Sequence, residues 1–159
     1  MIDAAVRDVM QTEPVTVRPE MELRDLVELF VSQPLVAAPV VDDTGKCVGI
    51  VSERDIVLQE VEGDVKFPYF VPILDGLVFV EPFGAYEEQM EKAFAATVGD
   101  LMTRDVRTIG PGDTIHEAAK KMAKHDVSRL VVVDGGQMVG VISRADIVRA
   151  LAHYEFGTR

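Results

Sequence analysis

Basic residues are scarce. The chain carries 16 Lys and Arg against 27 Asp and Glu, a formal net charge of −11. A nucleic-acid backbone or an anionic membrane as main partner needs a basic face, so both are excluded as expectations. A nucleotide needs only a local positive pocket and stays open. Cysteine is nearly absent, and a single Cys47 allows no internal disulfide, which fits a reducing compartment. It lies in an apolar strand pattern and reads as a buried structural thiol. Long apolar runs are missing too. The longest, Phe67 to Val80, is broken by Asp75 and Gly76 and falls short of the ~20 residues of a spanning helix. The N-terminal Met-Ile-Asp-Ala-Ala-Val-Arg has no basic stretch followed by an apolar core, so no signal peptide is expected and the expected location is cytoplasmic. His116, His125 and His153 are scattered, none beside a Cys or carboxylate at ligand spacing, so no metal site is expected. No nucleophile–base pair or paired carboxylates stand out, and catalysis is not expected.

What is present is a repeat. The chain is 159 residues long, 48% apolar and 27% charged, an ordinary globular composition. Residues 6–57 lie over 98–148. Matched identities include Asp8/Asp100, Met10/Met102, Thr16/Thr108, Pro19/Pro111, Asp42/Asp134, Gly49/Gly140, Ser52/Ser143 and Asp55/Asp146. A unit of about fifty residues is too short to bury a good core alone, so the two copies are expected to pack together. The division is a first unit at 2–58, a partly apolar insert at 59–97 and a second unit at 98–159.

Each unit has the same succession of periodicities. Val15-Thr16-Val17 and Val106 to Ile109 read as short strands stopped by Pro19 and by Gly110-Pro111-Gly112. A helix follows, with Leu23, Leu26, Val27, Leu29 and Phe30 on its apolar face in the first copy. Ile115, Ala118, Ala119, Met122 and Ala123 match them in the second, where Thr114 or Asp113 can cap the start and Glu117 completes a capping box. Two β-branched runs come next, joined by Asp42-Asp43-Thr44-Gly45 or Asp134-Gly135-Gly136, which are hairpin turn signals. A last helix starts at Ser52 or Ser143. The insert opens acidic and turns apolar through Phe67–Leu74 and Leu77–Val80. It ends in an expected helix from Tyr86 to Ala96, its apolar part covering the chain's own core or a subunit contact. The fold class is α+β, with two β-α-β-β-α units and small sheets flanked by helices.

The chemistry gathers at Gly49-Ile50-Val51-Ser52-Glu53-Arg54-Asp55 and Gly140-Val141-Ile142-Ser143-Arg144-Ala145-Asp146. A strand that ends in serine and turns into a helix offers backbone N–H groups and the positive end of the helix dipole, a natural seat for phosphate. An aspartate one turn further on can take two ribose hydroxyls. The same Ser-x-x-Asp spacing is also a capping box that merely closes the helix.

Taken together, these stretches, the Asp-Val-Met and Asp-Leu-Met-Thr starts, Ala38-Pro39-Val40-Val41-Asp42 and Ser128-Arg129-Leu130-Val131-Val132-Val133-Asp134 resemble a tandem pair of CBS domains, the Bateman module, as a stand-alone pair. The resemblance covers both repeats and leaves only the insert outside. It implies two units related by pseudo-two-fold symmetry, with clefts between them that take adenosine ligands: AMP, ADP, ATP or S-adenosylmethionine. Carried over by position, Asp55 and Asp146 hold ribose, and Ser52 and Ser143 hold phosphate oxygens. Thr16 and Thr108 line the base pocket with Val17 and Ile109. Ala38, Pro39, Arg129 and Leu130 supply backbone and apolar walls, and Arg129, Arg54 and Arg144 reach phosphate. Ala37 stands where the second repeat has Arg129, so the stretch with Asp146 is the better equipped of the two. The resemblance further implies a homodimer, a regulated protein partner, and no resident cofactor, magnesium entering only with the nucleotide. An Asp146→Ala change is expected to weaken binding and leave the fold intact. The alternative is a dimerising scaffold whose clefts are empty.

Overall fold

The computed structural model describes residues 3–62, 70–73, 76–79 and 96–157, with side chains described over 3–57 and 96–157. In chain order the elements are α1 (Val6–Val9), α2 (Leu23–Ser32), β1 (Ala37–Val41), β2 (Cys47–Ser52), α3 (Glu53–Glu62), β3 (Phe70–Ile73), β4 (Gly76–Phe79), α4 (Val98–Leu101), β5 (Thr108–Ile109), α5 (Ile115–His125), β6 (Arg129–Asp134), β7 (Gln137–Ser143) and α6 (Arg144–Phe156). Helices and small sheets alternate, an α+β architecture. The expected helix from Tyr86 lies, apart from Ala96, outside the described residues.

The chain forms two compact units, and each draws on both sequence repeats. One comprises Met1–Thr16, Ala38–Ile50 and Thr103–Arg159; the other comprises Val17–Ala37 and Val51–Met102. Backbone stitching explains the interleaving. In the first unit, Val6 N donates to Asp113 O at 2.8 Å, Arg7 N to Pro111 O at 3.0 Å, and Ile115 N to Ala4 O at 3.0 Å. The start of the first repeat thus closes the strand–helix turn of the second. The second unit repeats the device with the roles exchanged: Leu23 N donates to Ala96 O, Val98 N to Met21 O and Gly99 N to Pro19 O.

In the first unit β5 pairs in parallel with β6, and β6 pairs antiparallel with β7. The β6–β7 turn is Gly135-Gly136, with φ of +58° and +81°, the left-handed pair that a two-residue I′ hairpin loop needs and that only glycine adopts cheaply. One face of this sheet joins α5 and α6 in a core of Val6, Ile109, Ile115, Ala118, Met122, Leu130, Val132, Ile142, Ile147 and Ala150. Each large member contributes about 1.5–3 kcal/mol by leaving water. At the start of α5, Thr114 Oγ1 accepts from Glu117 N at 3.2 Å while the Glu117 carboxylate accepts from Thr114 N at 2.8 Å, the capping box read from the sequence.

Two expectations need correction. Val15–Val17 is no strand: only Val17 makes an isolated bridge, and Pro14, lacking an N–H, and Pro19 flank the segment. The strand expected over Val106–Ile109 shrinks to β5. In the second unit the apolar insert holds a structure the sequence did not announce, the antiparallel β3–β4 hairpin with Phe70 opposite Phe79 and Ile73 opposite Gly76. Among the described residues, no helix is long and apolar enough to cross a membrane.

Candidate functional site

β7 runs directly into α6, and Ser143 is the N-cap between them. Its Oγ accepts from Asp146 N at 3.3 Å. Ser143 N and Oγ both donate to Asp146 Oδ2 at 2.7 Å. The other carboxylate oxygen, Oδ1, accepts from Gln11 Nε2 at 3.5 Å and pairs with the Arg149 guanidinium one turn further along α6. Asp146 is 3% exposed. Burial by itself pushes its carboxyl up, but the bonds from Ser143, Gln11 and Arg149 outweigh that and hold it below the usual carboxylate value.

Gln11 reaches this place through the backbone. Gln11 N donates to Val141 O at 2.9 Å and Val141 N to Gln11 O at 3.0 Å, an isolated bridge onto β7. The motif glycine permits the crossing: a Cβ on Gly140 would lie 2.5 Å from Gln11 O and 3.0 Å from Met10 Sδ. Gly140 therefore serves a close backbone approach.

Strand pairing decides what faces the site. Arg129 lies opposite Ser143 and Thr108 beside Val131, so Thr108, Arg129, Val131 and Ser143 share the sheet face away from the core. Ile109 and Leu130, expected as pocket walls, alternate onto the opposite face and are members of the core, 5% and 0% exposed. Only their backbone is left for a ligand. Val131 is the apolar side chain that the register puts beside Thr108 and Arg129.

The cations at this helix start differ. Arg144, exposed, pairs with Asp126 at 3.7 Å, and Arg149 pairs with Asp146. Arg129 is half-buried and, among the described residues, forms no ion pair. Two first-turn N–H groups are already used, Arg144 N by Ser128 O and Asp146 N by Ser143 Oγ. The expectation that Asp146→Ala spares the fold also needs correction, because the carboxylate is a buried cap and not a free pocket group.

The remaining sequence-derived residues are distributed over both units. Thr16, exposed, and Ala38 and Pro39, buried in β1, belong to the unit that holds Asp146. Val17, buried, and Ser52, exposed Arg54 and Asp55 belong to the other. There the same cap recurs: Ser52 N and Oγ donate to Asp55 Oδ2 at 2.8 and 3.0 Å. Among the described residues no cluster of His, Cys, Asp and Glu has the makings of a metal site. Cys47 is half-buried, and burial pushes its thiol up, away from reactivity. Gln11 and Arg149 are the site residues that sequence reasoning missed. Arg149, one helical turn after Asp146, was detectable as an i,i+3 ion-pair partner. Gln11 gave no local signal.

Comparison with known proteins agrees with this architecture. The CBS domain model matches residues 6–61 and 98–153, and the chain belongs to the CBS domain family. The uncharacterized protein MJ1426 of Methanocaldococcus jannaschii is 34% identical over 152 residues, covering 92% of this chain and 90% of that protein. The chloroplastic CBS domain-containing protein CBSX2 of Arabidopsis thaliana is 29% identical over 137 residues, 84% of this chain but 57% of that protein, so the chain spans little more than half its length. The crystal structure of CBSX2 in complex with AMP matches with a TM-score of 0.72 at 25% identity, covering 95% of this chain and 98% of that one. The CBS domain pair of protein MJ0100, in complex with 5′-methylthioadenosine and S-adenosyl-L-methionine, shares the fold with a TM-score of 0.70 at 21% identity, over 96% of this chain and 99% of that one.

Proposed function

We propose that this chain is a non-catalytic, cytoplasmic regulatory module that binds an adenosine ligand carrying phosphate, and signals by a change in shape or partner affinity. The observation that carries the reading is Arg129: a half-buried arginine without an ion pair among the described residues, on the same sheet face as Thr108 and as Ser143 at the start of α6. On a chain of net charge −11 such a group is what an anion requires. In this reading Arg129 and Ser143 meet phosphate, Asp146 meets ribose, and Thr108 meets the base. The AMP complex of CBSX2, a protein of the same fold, supports the ligand class. Ser52, Asp55 and Arg54 form the second and weaker candidate. No resident cofactor is involved, and magnesium enters only on the phosphates of a nucleotide.

The module is read as a homodimer that acts on a separate protein. The exposed Val148, Leu151 and Tyr154, at successive turns of α6, support an association face. A scaffold without ligand is the second reading, favoured by one feature: both oxygens of Asp146 already have partners.

Equilibrium titration with AMP of the natural chain and of Arg129→Gln tests the proposal. Loss of one charge-assisted phosphate contact predicts about tenfold weaker binding, roughly 1.4 kcal/mol. Equal affinity in the two proteins contradicts the role of Arg129, and absence of binding in both leaves the scaffold reading standing.

A further inference from the structure

The two Ser-x-x-Asp stretches are alike in sequence and unlike in what surrounds the aspartate. At Asp146 the Oδ2 atom belongs to the cap, taken by Ser143, and Oδ1 is held by Gln11 Nε2 and the Arg149 guanidinium. At Asp55 the hydrogen bonds among the described residues run only to Ser52. The position matching Arg149, three residues after the aspartate, is Leu58, and the position matching Gln11 is Thr103. The cation on the second aspartate is therefore a property of one repeat.

From this geometry we infer that Arg149 is a specificity-determining residue, a guanidinium latch that makes the Asp146 site discriminate between anionic and uncharged adenosine ligands. The inference rests on the proposed ligand class. A ribose hydroxyl that takes Oδ1 competes there with the Arg149 guanidinium, its charged partner, and with the longer contact from Gln11 Nε2, because Oδ2 is committed to the helix cap and Asp146 is itself buried. The Arg149 side chain is 69% exposed against 2% for Asp146, so the arginine swings aside while the carboxylate stays fixed. Once displaced, the guanidinium has no second acid within four residues on α6, where Ala145, Ala152 and His153 occupy the other neighbouring positions. An uncharged nucleoside supplies it with no ionic partner. A ligand with a phosphate or carboxylate group supplies one and offsets the broken pair. Gln11 is a neutral donor on the same oxygen and adds to the hold without adding to the charge selectivity.

The test compares AMP with adenosine on the natural chain, Arg149→Ala and Arg149→Lys, by equilibrium titration. The latch predicts that Arg149→Ala binds adenosine more tightly, because the competitor for Oδ1 is gone, and AMP more weakly or equally. The AMP-to-adenosine preference then falls by about tenfold, while Arg149→Lys keeps most of it. A merely structural role for Arg149 would shift both ligands in the same direction, and that result overturns the inference. Arg129→Gln serves as the comparison, since loss of a phosphate contact weakens AMP without the gain in adenosine binding that the latch predicts for Arg149→Ala. Binding of both ligands with an unaltered preference in Arg149→Ala refutes the latch and spares the site. AMP binding with no adenosine binding to any of the four proteins refutes the latch and spares the site, and binding of neither ligand to any of them refutes both.

Discussion

Asp146 illustrates how much one residue's neighbours decide. A carboxylate 3% exposed, accepting from Ser143 N and Oγ, Gln11 Nε2 and Arg149, is a structural group before it is a ligand group. Replacing it with asparagine removes the charge and unbalances the cap, with an expected loss of about 1–2 kcal/mol at neutral pH, read by urea unfolding. The pH dependence follows in sign. A carboxyl held below its unfolded value of about 3.9 contributes stability that is present above that pH and lost as pH falls through the folded value. The gap between the natural chain and Asp146→Asn should therefore narrow as pH falls below about 3.9. A gap that stays constant would mean that the carboxylate is not the group responsible. Asp42, lowered first by its hydrogen bond from Thr44, and Glu117, lowered first by the backbone N–H of Thr114, add acid sensitivity of the same sign in both proteins.

Among the elements, β7 carries the most consequence because three partners meet on it: β6, the Met10–Gln11 segment and α6. Gly140 makes the second of these meetings possible. Gly140→Ala places a Cβ 2.5 Å from the Gln11 carbonyl, a backbone atom that cannot yield by rotating. The expected cost is about 1–3 kcal/mol. Amide exchange at Gln11 and Val141 should accelerate before that of the α5 interior; unchanged exchange at both amides would contradict the crossing. Much at this scale was legible in the sequence. The repeat, the Asp134-Gly135-Gly136 hairpin, the Thr114/Glu117 box and both Ser-x-x-Asp caps follow from local spacing. The facing of β6 was not legible, because Leu130, Val131 and Val132 are all fully buried and a strand apolar on both faces carries no alternation to read. Nor were the partners Val6–Asp113, Gln11–Val141 and Gln11–Asp146, since pairings more than a hundred residues apart leave no periodic trace. Val15-Thr16-Val17 looked like a strand by composition and lost to its flanking prolines.

For the molecule as a whole, charge and surface set the terms. A net charge of −11 opposes anions at large, so the proposed phosphate contact has to be local, and Arg129 is the residue proposed for it. The exposed α6 residues give one prediction at this scale. Sedimentation should show twice the chain mass for the natural protein and the single mass for Val148→Glu combined with Leu151→Glu; a dimer that survives the double change places the interface elsewhere. The central claim is that the chain binds a phosphate-bearing adenosine ligand, and thermal unfolding with and without AMP, ADP, ATP and S-adenosylmethionine tests it most directly. A ligand present at about 100 times its dissociation constant adds about 2.7 kcal/mol. For a chain of this size that raises the midpoint by several degrees. Such a rise is expected for at least one of the three phosphate-bearing compounds, larger than for S-adenosylmethionine. An unchanged midpoint with all four would contradict it.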